Sequence, residues 1–125
     1  MTKKILIVED DPLLLKMYHD KFAKEGFGVE DALNGEEGLE AAIGEHPDLI
    51  LLDINMPKMD GLTMMGKLRE DKWGHSVPII LITNLDANDE RMKAVTRDEP
   101  AFYLLKKDYT LEDLLSKVRE VLARD

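Results

Sequence analysis

"DLILLD", Asp48 to Asp53, runs apolar without alternation between two carboxylates. An unbroken run of this length reads as a strand covered on both faces, the usual condition of a parallel strand inside an α/β sheet. The same character returns in "KILIV" (Lys4 to Val8), in "VPIILIT" (Val77 to Thr83) and in "AFYLLK" (Ala101 to Lys106), with "FGVEDA" (Phe27 to Ala32) a weaker strand. Helical patterns separate them. From Pro12 to Glu25, Leu14, Met17, Tyr18 and Phe22 fall on one face and Gly26 ends the pattern. Gly35 to Gly44 is a short helix, and a third runs from about Gly61 to Asp71 behind the cap residue Asp60. A charged helix is expected from about Asp86 to Arg97. The last helix opens on a capping box, Thr110-x-x-Asp113, and places Leu111, Leu114, Leu115, Val118, Val121 and Leu122 at helical spacing. Five βα units in this order predict a parallel sheet with helices on both faces, a three-layer α/β/α domain.

With 125 residues the chain is expected to form one domain, 1–125, with no output domain after the final helix. Seventeen basic and 26 acidic residues give a formal charge of −9, which argues against direct nucleic-acid binding or attachment to an anionic membrane. There is no cysteine, hence neither a disulfide framework nor a thiolate metal site, as suits a cytoplasmic protein. No apolar run approaches the roughly 20 residues needed for membrane insertion.

In a parallel sheet every strand's C-terminal end lies on one edge, and open α/β folds bind ligands there. Strand one ends in Glu9-Asp10-Asp11, strand three in Asp53, strand four in Thr83 and strand five in Lys106. Crowded carboxylates repel, so the cluster should raise a carboxyl pKa or take up a cation. With only oxygen donors that cation is hard, and Mg²⁺ fits best because it keeps waters and phosphate oxygens. A carboxylate nucleophile with a hydroxyl and an ammonium beside it has the makings of a phosphoryl-acceptor site. Asp11, directly before Pro12, reads as a helix cap. Met56, Met59, Met64 and Met65 read as packing residues, and His19, His46 and His75 have no metal-ligand spacing.

Taken together these residues resemble the response-regulator receiver domain of two-component signalling, over nearly the whole chain. The resemblance implies a flavodoxin-like strand order, 2-1-3-4-5. It implies a phosphorylation-dependent switch in which Asp53 accepts a phosphoryl group from a sensor histidine kinase or phosphotransfer protein, and the signal passes to a downstream protein effector. Glu9 and Asp10 match the family's acidic pair, and the backbone carbonyl of Asn55 matches a further metal-ligand position. Thr83 and Lys106 match the hydroxyl and lysine that hold the phosphoryl oxygens, and Tyr103 matches the aromatic that turns inward when Thr83 shifts. Such a domain catalyses only its own phosphorylation and dephosphorylation. Leu13 and Leu15, off the expected core face of the first helix, are candidate contacts for the sensor partner.

Three positions depart from the family pattern. Lys107 stands where proline usually follows the lysine, so the loop either holds a cis non-proline bond or takes a trans route that moves the Lys106 ammonium. Asn84 replaces a small residue, and Asp98-Glu99-Pro100 replaces a glycine-containing turn. Two alternatives stay open. One is a phosphatase of the haloacid-dehalogenase type, which needs a general acid two residues after its nucleophile, where this chain has Asn55. The other is a phosphorylation-independent, receiver-like adaptor.

Overall fold

Every residue of β3 (Leu49–Asp53) is buried in the computed structural model, which describes all residues except 1, 85–88, 91, 92, 94–97, 99, 101 and 125. Around it stand β1 (Lys4–Val8), β2 (Gly28–Ala32), β4 (Ile79–Thr83) and β5 (Phe102–Leu105), all parallel, in the order 2-1-3-4-5. The helices among the described residues are α1 (Pro12–Lys24), α2 (Gly35–Glu45), α3 (Gly61–Arg69) and α4 (Leu111–Leu122). The helix expected from about Asp86 to Arg97 falls largely outside the described residues.

Strand side chains alternate between faces, so each central strand feeds two cores. Ile5, Ile7, Leu49, Leu51, Ile80 and Ile82 pack under α1 and α4. Leu6, Val8, Ile50, Leu52, Ile79 and Leu81 pack under α2 and α3, with Met64 and Met65 fully buried and Met56 and Met59 against the margin. At about 2 kcal/mol for each fully buried aliphatic side chain, the continuous apolar runs supply the main driving force for both layers.

The helix ends follow from local chemistry. The Asp11 carboxylate accepts from the backbone N–H of Leu13 at 2.9 Å, Asp60 accepts from Thr63 at 2.8 Å, and Thr110 and Asp113 form the reciprocal capping box at 3.1 Å each way. Gly26, at φ 96, ends α1 in the left-handed region that glycine enters freely.

One expectation is corrected. The core face of α1 is Leu15, Tyr18 and Phe22, while Met17 is 43% exposed and Leu14 sits at the margin. Three consecutive leucines leave the helical phase open in the sequence, and α1 resolves it by packing over both β1 and β2, which turns Leu15 inward to 7% exposure. Leu15 is therefore no surface contact, whereas Leu13 is 70% exposed.

Candidate functional site

The register of the strands stages the side chains along the C-terminal edge. Val8 lies opposite Leu52, so Glu9 leaves β1 level with Asp53. Asp53 lies opposite Ile82, and Thr83 opposite Leu105, so Thr83 and Lys106 follow one step further on. Past Asp53 the chain turns back at once: the Gly61 N–H donates to the Ile54 carbonyl at 2.9 Å. A β-carbon on Gly61 would stand 2.1 Å from the Asp53 carbonyl oxygen, so only glycine allows this return.

Glu9 and Asp53 are 1% and 5% exposed, and Asp10 is open to solvent. The three offer carboxylate oxygens that all lie within 4.8 Å of one another. The Lys106 ammonium donates to Glu9 Oε1 at 2.8 Å and stands 3.4 Å from Asp53 Oδ2. Burial pushes the Asp53 carboxyl up to about 7; the Glu9 charge adds to the push and Lys106 opposes it. Burial alone would lower the Lys106 ammonium, but the Glu9 hydrogen bond and the Asp53 and Glu9 charges outweigh it and hold the group above its ordinary value.

The Lys106 reach answers the question raised by Lys107. No cis peptide bond occurs among the described residues, so the Lys106–Lys107 bond is trans. The chain enters a 3-10 turn at Lys106–Asp108, with Lys107 exposed, and the ammonium still arrives between the two buried carboxylates.

Thr83 is fully buried at the end of β4. Tyr103 pairs with Leu81 across the sheet, on the same face as Thr83, and packs half-buried against the α3-side core. Asn55 is exposed in the loop beyond Asp53, and Asn84 is exposed just past β4. Thus Glu9, Asp10, Asp53 and Lys106 are brought into one cluster, and Asp11 serves α1 as its cap.

Tyr18 is a participant that sequence reasoning assigned to the core alone. It is buried, and burial holds its phenol above the ordinary value, with Lys106 opposing and the Glu9 and Asp53 charges reinforcing the shift. Its position on the apolar face of α1 gives no sign of this, since the neighbouring charges come from three other elements.

An all-oxygen donor set of this compactness suits a hard divalent cation and not a soft or strongly nitrogen-preferring metal. Three features therefore meet here: a cluster of carboxylates, one of them raised toward neutral pH, and an ammonium fixed beside two of them. Among the described residues no helix is long and apolar enough to cross a membrane.

Comparison with known proteins shows the family and the fold. The family model of the response regulator receiver domain matches residues 5–119. The chain is 32% identical over 121 residues to the DNA-binding dual master transcriptional regulator RpaA of Synechocystis sp., covering 97% of this chain and 49% of that protein. It is 35% identical over 124 residues to the response regulator MprA of Mycobacterium ulcerans, covering 99% of this chain and 52% of that one. The chain thus spans about half the length of the curated relatives it matches. Among solved structures, a CheY-like receiver domain protein from Methanospirillum hungatei superposes with a TM-score of 0.90 at 29% identity, over 99% of this chain and 96% of that one. The chemotaxis protein CheY4 of Vibrio cholerae gives 0.87 at 26% identity, over 97% and 99%. The strand order, the acidic edge and these likenesses agree, and the chain belongs to the response regulator receiver domain family of two-component signalling.

Proposed function

We propose that this domain is a Mg²⁺-dependent phosphoryl-acceptor switch in which Asp53 takes the phosphoryl group of a phosphohistidine on a sensor kinase or phosphotransfer protein. The observation that carries the reading is the Lys106 ammonium set between Glu9 and Asp53, with the three carboxylates of the edge within 4.8 Å of one another. Glu9, Asp10, Asp53 and the Asn55 carbonyl would hold the metal. When bound, Mg²⁺ supplies the positive charge that offsets the crowded carboxylates and the transferring phosphoryl oxygens.

An Asp53 carboxylate oxygen attacks phosphorus in line; the new P–O bond forms as the P–N bond breaks, and the departing imidazole takes a proton from solvent. Lys106 offsets charge on the equatorial oxygens, and the Thr83 hydroxyl donates to one of them in the product. The added charge draws Thr83 and Lys106 toward Asp53, and Tyr103, on the same face as Thr83, follows into the space vacated. Asn55 stands where a hydrolase of the haloacid-dehalogenase type needs an acid, and an amide neither gives nor accepts a proton there, so the acyl phosphate persists. The protein phosphodonor docks over the exposed Leu13 and Met17 of α1, beside a groove of about 350 Å³ lined by Leu14, Tyr109 and Leu111. The signal then passes to a protein effector.

Intact-mass measurement after treatment with a small acyl phosphate and Mg²⁺ tests this reading. One slowly lost phosphoryl adduct is expected, absent in Asp53→Asn and absent without Mg²⁺. Steady release of phosphate would favour the phosphatase instead, and no adduct under any condition would favour the adaptor.

A further inference from the structure

The loop from 54 to 60, which joins β3 to α3, has no regular secondary structure and is held from two sides. Gly61 closes its far end against Ile54. The second hold comes from a different βα unit, where Gly35, the first residue of α2, donates its N–H to the Met59 carbonyl at 3.0 Å. The first amides of a helix have no acceptor within it, so Met59 satisfies one of them. The approach is as close as backbone allows, since a β-carbon on Gly35 would stand 2.1 Å from the Met59 oxygen and 2.8 Å from its carbon.

The start of α2 is itself held by its own cap. Asn34 is buried; its Oδ1 accepts from the Glu37 N–H at 2.9 Å and its Nδ2 donates to Glu37 Oε2 at 2.9 Å. Within the loop, Lys58 holds φ 64, a left-handed conformation that a lysine adopts only when its surroundings impose it.

We propose that Gly35 is a positioning residue for the metal loop: by bracing Met59, the N-terminus of α2 fixes the Asn55 carbonyl relative to Glu9, Asp10 and Asp53 and so sets the affinity for Mg²⁺. This rests on reading the cluster as the Mg²⁺ site. Mg²⁺ tolerates little error around its bond length of about 2.1 Å, so a small displacement of one donor loosens the site without removing it.

The test is calorimetric titration with Mg²⁺ of wild type, Gly35→Ala, Asn34→Ala and Gly44→Ala, together with the Mg²⁺ concentration that half-saturates labelling by a small acyl phosphate. Gly44 lies in the same helix with open space around its α-carbon and serves as control. Where it folds, Gly35→Ala is expected to bind Mg²⁺ roughly tenfold more weakly, yet to reach wild-type labelling when the metal is saturating. Asn34→Ala removes the cap without a clash and should weaken binding by about threefold, with Gly44→Ala unchanged. If Gly35→Ala does not fold, the Asn34→Ala titration decides, since the loss of a single cap side chain leaves the fold in place. Wild-type affinity in the folded variants overturns the brace while leaving the metal reading intact. A wild-type chain that takes up no Mg²⁺ overturns the metal reading, and the brace with it.

Discussion

Replacing Asp53 with asparagine should stabilise the metal-free fold, even though it removes a partner of Lys106. The Asp53 carboxyl lies at about 7 in the folded chain against an ordinary 3.8, because burial and Glu9 together outweigh Lys106. The folded state therefore binds this proton more tightly than the unfolded one. Below about pH 4 both states are protonated and the group costs nothing; the cost grows as pH rises and is complete above about pH 7. Without screening, that displacement corresponds to about 4 kcal/mol. Solvent entering past exposed Asp10 screens part of it, so a gain of about 2 kcal/mol is expected for Asp53→Asn at pH 8. The amide keeps the side-chain shape, leaves the Lys106–Glu9 bond in place and can donate to Glu9, which the carboxylate repels. Urea denaturation in EDTA should place the variant's midpoint roughly 1 M above wild type at pH 8, with the gap closing toward pH 4. Adding Mg²⁺ should stabilise wild type and not the variant, narrowing the gap from the other side. Loss of stability at pH 8, or a gain that does not vary with pH, would refute the reasoning.

The mirror experiment is Lys106→Met, which leaves Glu9 and Asp53 facing each other; about 2 to 3 kcal/mol of stability should be lost at pH 8, most of it recovered in the double variant with Asp53→Asn, as read by the same denaturation cycle. Leu15→Ala should cost about 2 to 4 kcal/mol in thermal or chemical unfolding. Leu13→Ala should change stability by less than about 0.5 kcal/mol, yet slow labelling by a protein phosphodonor while labelling by a small acyl phosphate stays unchanged. Gly61→Ala drives a β-carbon onto the Asp53 carbonyl, so a loss above about 3 kcal/mol or failure to fold is expected by circular dichroism; a folded variant of normal stability would show that the loop yields.

Much of the fold is legible residue by residue. The apolar runs locate the strands, and Asp11, Asp60 and Thr110 mark helix starts because a cap is a hydrogen bond to an amide two or three residues away. Register is a different matter. A strand apolar on both faces loses little burial when it slips by a residue, so hydrophobic pattern alone does not pin β3. Contacts such as Gly61 against Asp53 do, and they depend on how the chain returns.

The sequence by itself determined the βα order, the caps, and the acidic, hydroxyl and ammonium residues leaving the strand ends, since each follows from side-chain type within a short window. Tertiary structure alone decided that Leu15 and not Met17 faces the core, that Tyr18 neighbours the ion cluster, that Lys106 reaches Glu9 across 97 positions by a trans route, and that burial, ahead of carboxylate crowding, lifts the Asp53 carboxyl to about 7. These properties depend on distance and burial between segments far apart in the chain. Electrostatic energy varies with separation and dielectric, and neither is defined until the sheet has brought the strand ends together.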